Sequence, residues 1–215
     1  YSISHTIHWG RDLFDGLFAR RPKQANQYVE LLASSGIEQL GMRLKHDLSE
    51  EAAVEAAIEL AEDLASMSSS LEPLEIRERA LSWAIQTAHR LFHNSIVKLL
   101  DDHPIDSLDE EGLPFWSGAR KPPTSLKFPQ SSGDQTMDDN LIEFVRHGAR
   151  LRIETLLGKD SDSMVSIDEA RAALLASKDV LFSHKDKGDE ILEVLEPLKD
   201  VSSVGARTLN VAEFE

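Results

Sequence analysis

Pro73-Leu74-Glu75-Ile76-Arg77-Glu78-Arg79-Ala80-Leu81-Ser82-Trp83-Ala84-Ile85-Gln86-Thr87-Ala88-His89-Arg90-Leu91-Phe92-His93-Asn94-Ser95-Ile96-Val97-Lys98-Leu99-Leu100 is the run on which the fold turns. Leu74, Leu81, Ala84, Ile85, Ala88, Leu91, Phe92, Ile96 and Leu99 recur at helical spacing, and a proline in the first turn is tolerated because that turn has no use for its N–H. The spacing predicts one helix over Pro73–Leu100, the longest in the chain and a backbone of its core.

The same pattern continues on both sides. Ser49-Glu50-Glu51-Ala52 puts a capping residue and an acidic first turn before an alanine-rich helix with Ala53, Val54, Ala57, Ile58, Ala61, Leu64 and Ala65 on one stripe, stopped by the serine run from Ser66 to Ser70. Further back, short helices are predicted over Ile37 to Lys45 and Gln24 to Ala33, separated by the breakers Ser34-Ser35-Gly36. Ser2 or Ser4 caps a first helix running to about Phe18, carrying Ile3, Ile7, Phe14, Leu17 and Phe18, and Pro22 starts or interrupts the next element.

Toward the C-terminus, Asp138 to Leu157 reads as a helix with Leu141, Ile142, Phe144, Val145, Ala149, Ile153 and Leu156 inward, Arg146, Arg150 and Arg152 on the remaining surface, and Gly158 closing it. Ser166-Ile167-Asp168-Glu169 has the outline of a capping box leading into a helix near Asp168 to Ser177. Lys185 to Asp189 reads as a charged turn, Glu190 to Leu198 as a short helix, and Thr208 to Phe214 as an extended segment that could form a short C-terminal strand. The expected fold is mainly α: an irregular multi-helix domain over residues 1–207, without internal repeats.

Composition supports a stable globule. A chain of 215 residues buries roughly 70% of its unfolded surface, and 41% hydrophobic with 28% charged residues is too apolar for wholesale disorder. The formal net charge of -15, from 38 acidic against 23 basic residues, would repel a phosphate backbone, so nucleic acid is not an expected partner. There is no cysteine, hence no disulfide, thiolate metal site or cysteine nucleophile within these residues. No apolar run approaches the roughly 20 residues that cross a bilayer, so no membrane association is expected. Tyr1-Ser2-Ile3-Ser4 does not resemble a natural start, and the chain is expected to be excised from a longer one.

Between Asp101 and Gln135 stand Pro104, Pro114, Pro122, Pro123 and Pro129, which argue for an irregular excursion too long to be a mere connector. Within it, Leu113-Pro114-Phe115-Trp116-Ser117-Gly118-Ala119-Arg120-Lys121-Pro122-Pro123 restricts the backbone with prolines, frees it at Gly118, and sets two adjacent aromatics that need somewhere to pack. Phe115 and Trp116 are expected to pin the loop to the helical core, where Trp9 and Trp83 are also placed. Arg120, Lys121 and Lys127 beside Phe115, Trp116 and Phe128 could instead bind a single strand, but the patch is small against the net charge.

Other motifs yield no site. His89 and His93 share a helix face at metal-ligand spacing, yet Arg90 stands where a metalloprotease has glutamate and no third ligand is evident; His5 and His8 fare no better. Gly158-Lys159 lacks both the earlier glycine and the following hydroxyl of a phosphate loop. Asp160-Ser161-Asp162 opens like a calcium loop, but Val165 and Arg171 occupy the positions of its glycine and glutamate.

Phe115-Trp116-Ser117-Gly118, followed by basic residues and proline, resembles a sequence of the ubiquitin-activating enzymes. Ser4-His5-Thr6-Ile7-His8-Trp9-Gly10-Arg11-Asp12-Leu13-Phe14-Asp15-Gly16-Leu17-Phe18 resembles the family helix that follows the catalytic cysteine, and Leu209 to Glu215 resembles the strand returning to the adenylation domain. Departures after Phe128 and at Arg146-His147-Gly148-Ala149-Arg150 mark a divergent member.

The resemblance implies the second catalytic cysteine half-domain, with 208–215 as the return segment toward the adenylation domain. It implies a nucleophilic cysteine just upstream of Tyr1, no catalytic, cofactor or metal residue within the chain, and a fragment inactive by itself. For the full-length parent it implies ATP and magnesium, a ubiquitin adenylate attacked by the cysteine thiolate, and a domain rotation that brings the two together. The implied partners are ubiquitin or a close ubiquitin-like modifier, conjugating enzymes and the adenylation domain of the same chain; the implied location is cytoplasmic and nuclear. The alternative is a non-catalytic helical protein-interaction module that binds through the aromatic loop.

Overall fold

In the computed structural model, residues 3–66, 72–129, 137–158, 164–177, 195 and 209–211 are described. Helix is the dominant structure among them: α1 (Ile3–Asp15), a π turn (Gly16–Arg20), α2 (Arg21–Asp47), α3 (Glu50–Ser66), α4 (Pro73–His89), a second π turn (Arg90–Asn94), α5 (Ser95–Asp102), α6 (Asp139–Leu157) and α7 (Ile167–Ala176). The mainly α expectation holds, and no helix among the described residues is long and apolar enough to cross a membrane.

Local chemistry accounts for most boundaries. Pro22, expected to start or interrupt the next element, stands in the first turn of α2 and does not break the rod. A proline ring crowds the carbonyl four residues back, and the π turn before it widens the helix, with the Arg21 N–H reaching to the Gly16 carbonyl. The break expected at Ser34-Ser35-Gly36 is a kink inside α2, where Gly36 takes φ 79°, a left-handed value that favours glycine. Asp138 opens α6, its Oδ1 accepting from the Asn140 N–H at 2.8 Å, and Gly158 closes it at φ 96°. The capping box at α7 is complete: the Glu169 N–H donates to Ser166 Oγ (3.1 Å) and the Ser166 N–H to Glu169 Oε2 (2.8 Å).

The chain divides into two compact units, and the division falls inside α4 and α6. One comprises Tyr1–Arg79, Arg150–Met164 and His184–Glu215; the other comprises Ala80–Ala149 and Val165–Ser183. In the first, Tyr28, Leu32, Leu40 and Leu44 of α2 pack with Leu60 and Leu64 of α3, joined by Ile76, Leu156, Leu195 and Leu209.

The first unit also holds a charge network that the apolar pattern concealed. Asp63, only 1% exposed, accepts from the buried Arg152 guanidinium and lies 3.7 Å from Arg21, which in turn pairs with Glu59 at 3.1 Å. Arg152 is therefore a buried ion-pair partner rather than a surface residue. Alternating the two signs is what makes burying them tolerable.

The three described residues of the expected C-terminal strand, Leu209–Val211, form no strand. A side chain substitutes for a neighbouring backbone: Asn26 accepts from the Leu209 N–H at 2.7 Å and donates to the Leu209 carbonyl at 2.9 Å, while the Asn210 N–H donates to the Thr155 carbonyl at 2.8 Å. The charged turn at Lys185–Asp189 lies outside the described residues, as does the short helix at Glu190–Leu198 apart from Leu195.

In the second unit, Ala80, Ala84 and Ala88 of α4 are buried, as are Leu141, Ile142, Val145 and Ala149 of α6. These two segments approach closely, since a Cβ on Gly148 would lie 3.4 Å from that of Ala84. Trp9 departs from expectation in the first unit. It is 51% exposed on α1, which has no buried residue, whereas Trp83 is half-buried.

Candidate functional site: the aromatic loop

The loop leaves α5 at His103, whose N–H still bonds the Leu99 carbonyl (3.0 Å) while its backbone has left the helical region. Residues 107–115 then form a small hairpin. Asp109 donates its N–H to the Leu113 carbonyl (2.7 Å), Phe115 donates to Ser107 (2.9 Å), and Leu108 bridges Pro114. Its turn is tied by Asp109 Oδ1, which accepts from the N–H groups of Glu111 and Leu113 at 3.0 and 2.9 Å, and by Gly112 at φ 77°.

The hairpin delivers Phe115 and Trp116 back to the place the loop started. Phe115 stacks on the His103 ring at 3.9 Å and 5° between planes, with the Arg120 guanidinium 5.3 Å from its centroid. Trp116 stands edge-on to Phe115 at 4.9 Å and donates its Nε1–H to the His103 carbonyl at 2.8 Å. Ser117 and Gly118 make the turn that returns Arg120 to this stack: the Ser117 carbonyl accepts the Arg120 N–H at 3.0 Å, and Gly118 has φ 59°.

The marker residues Phe115, Trp116, Ser117 and Gly118 are thus brought together, but not as expected. Phe115 and Trp116 are half-buried and brace the loop on its own stem at His103, instead of pinning it to the core. That second task falls to Phe128, 3% exposed, which meets His89 edge-on at 4.8 Å and His93 at 6.2 Å, the two imidazoles being stacked at 4.7 Å.

Two hydrogen bonds complete this clasp, from the Leu126 N–H to the Phe92 carbonyl (2.8 Å) and between His93 Nδ1 and the Leu126 carbonyl (3.2 Å). A carbonyl can only accept, so Nδ1 carries the proton. Burial, seconded by the neighbouring His93, holds the His89 pKa below its ordinary 6.5.

Among the described residues this arrangement works as a brace. The ring of Phe115 is engaged by His103 and Arg120, while Lys121 and Lys127 stand exposed outside the stack. Among the described residues no three of His, Cys, Asp and Glu are grouped to hold a metal ion. A phosphate has no cradle at Gly158 either, because its N–H is spent on the Glu154 carbonyl at 2.9 Å. No step through the ATP and magnesium that the resemblance implies for the parent is assigned to the described residues.

A family model described as ubiquitin-activating enzyme, SCCH domain, matches residues 1–215. The chain belongs to this family.

Relatives agree in kind. Ubiquitin-like modifier-activating enzyme 1 of Dictyostelium discoideum is 33% identical over 132 residues, covering 59% of this chain and 11% of the relative. Ubiquitin-activating enzyme E1 1 of Schizosaccharomyces pombe is 32% identical over 126 residues, and the human ubiquitin-like modifier-activating enzyme 1 is 31% identical over 127, with the same shares covered. The chain therefore spans about a tenth of the length of these relatives.

Within this second catalytic cysteine half-domain, the quoted markers now have structural meaning. Ser4 to Phe18 lies along α1 and its π turn, and Phe115-Trp116-Ser117-Gly118 closes the loop stack. Little in the sequence marked His103 as the partner of Phe115 and Trp116, or Phe128 as the partner of His89 and His93. The only clue to the clasp was the i, i+4 spacing of His89 and His93, which also suits a metal pair.

Proposed function

We propose that this chain is the rigid mount on which a ubiquitin-activating enzyme carries and positions its catalytic cysteine for thioester formation and for transfer to conjugating enzymes. The family match across residues 1–215 carries the reading. The surface of α1 supports it: Ile3, Ile7 and Trp9 are exposed on a helix with no buried residue. Such a face suits a helix covered by other parts of a longer enzyme.

The chain's own contribution is positional. A thiolate attacks an activated carbonyl only from a defined distance and direction, and a misplacement of about 1 Å can cost about a hundredfold in rate. Helices fixed by two apolar cores supply that constancy; the aromatic brace and the Phe128 clasp keep the long loop from competing conformations. By itself the chain is inactive, since it has no cysteine. Ubiquitin or a close ubiquitin-like modifier, the conjugating enzymes and the adenylation domain are the corresponding partners, with a cytoplasmic and nuclear location.

The test is ATP-dependent, reductant-sensitive loading of ubiquitin onto the full-length parent. Loading is expected, and Ile7→Asp, on an exposed position, should lower its rate about tenfold or more without changing the helical content of the chain. Absence of loading with active ubiquitin and a working control enzyme would overturn the proposal, as would a parent without cysteine within about ten residues before Tyr1.

A further inference from the structure

We infer that the 107–115 hairpin, with Ile105 beside it, is a docking surface for a basic amphipathic segment of a partner protein. The observation is a conflict between order and exposure. The hairpin is fixed by ladder hydrogen bonds, the Asp109 turn and the Phe115–His103 stack, yet Ile105, Leu108 and Leu113 are 75%, 64% and 56% exposed. Large aliphatic side chains presented to water on a rigid support lose nothing further in backbone entropy when a partner covers them.

Charge decides what covers them. Asp101, Asp102, Asp106, Glu110 and Glu111 are exposed along the same stretch, and none forms an ion pair among the described residues. Asp109 is different, its Oδ1 being occupied by the turn. A second copy would bring the same carboxylates and a net charge of -15 against its twin, and an anionic membrane or a nucleic acid would be repelled likewise. An occupant with aliphatic residues on one side and lysine or arginine flanking them satisfies both features, which is the character of a basic amphipathic helix or strand.

The test is an NMR titration of the whole isotopically labelled 215-residue chain with a helical leucine–lysine peptide whose lysines occupy one face. Amide shifts should cluster on 104–115, weaken with added salt, and be absent with the glutamate counterpart of the peptide. An Ile105→Ser, Leu108→Ser double variant should bind on the order of tenfold more weakly, because it removes the apolar anchors. Glu110→Lys with Glu111→Lys, which leaves the aliphatic residues in place, should weaken binding comparably. Ile3→Ser with Ile7→Ser, altering the exposed apolar residues of α1, should not. Unchanged far-ultraviolet circular dichroism verifies each fold. Shifts on α1 or scattered over the surface, equal binding of the acidic peptide, no binding, or concentration-dependent shifts of the chain alone would each overturn the inference.

Discussion

Asp63 and Arg152 show how a single pair can be invisible in a pattern and still govern a core. Both lie on helices whose apolar positions were plain from spacing, so each looked like the polar side of an amphipathic helix. Only the packing of α3 and α6 within the first unit brings the guanidinium and carboxylate together. Asp63→Ala removes the charge that compensates Arg152 and should destabilise the protein by about 3–5 kcal/mol in urea denaturation, whereas exposed ion pairs in proteins generally contribute roughly 0–1 kcal/mol. A loss near the surface value would mean that water reaches Arg152. Asn26 makes the same point without charge, since no local rule announces that an asparagine will bond the backbone of Leu209.

At the scale of elements, caps and breakers mark most helix ends, but the run expected as one helix over Pro73–Leu100 is divided by a π turn into α4 and α5, and the longest described helix is α2, with 27 residues. The kink at Gly36, the start at Asp138, the stop at Gly158 and the capping box at Ser166 all follow from short-range chemistry. The π turns were not legible, because one extra residue leaves an apolar stripe looking helical. Nor could spacing say whether the aromatics of the long loop would meet the core or the loop's own stem. The clasp of His89, His93 and Phe128 now carries a pH prediction. His89 has a folded pKa below 6.5, so the unfolded chain binds the extra proton first as pH falls. Stability should be complete above about 6.5 and decline below it with a slope of at most about 1.4 kcal/mol per pH unit, levelling off below the folded pKa. The charges on the facing stretch of α6, Glu143, Arg146 and His147, are engaged with one another. Hydrogen exchange at the Leu126 amide, corrected for intrinsic rate, should report the opening, and His89→Gln should flatten this part of the profile. An unchanged acid limb in that variant would assign the pH dependence elsewhere.

For the whole molecule, fold class came readily from the sequence because helical periodicity recurs along its length. The partition into two units did not, since two of its boundaries fall within the continuous helices α4 and α6. Net charge acts at this scale. With -15 on 215 residues, self-repulsion should lower stability at low ionic strength, so raising salt from about 10 to 150 mM should raise the melting temperature by a few degrees. A fall over that range would show that specific ion pairs outweigh the overall repulsion. The π turn at Arg90–Asn94 has a consequence for the aromatic loop as well. Such a turn holds one residue more than an α-turn, and one residue is about 100° of rotation around a helix axis. The heading of the loop is thus stored as a phase, in one surplus residue of its stem. Losing that residue would swing Phe115 and Trp116 to a new bearing without altering a single residue of the loop itself.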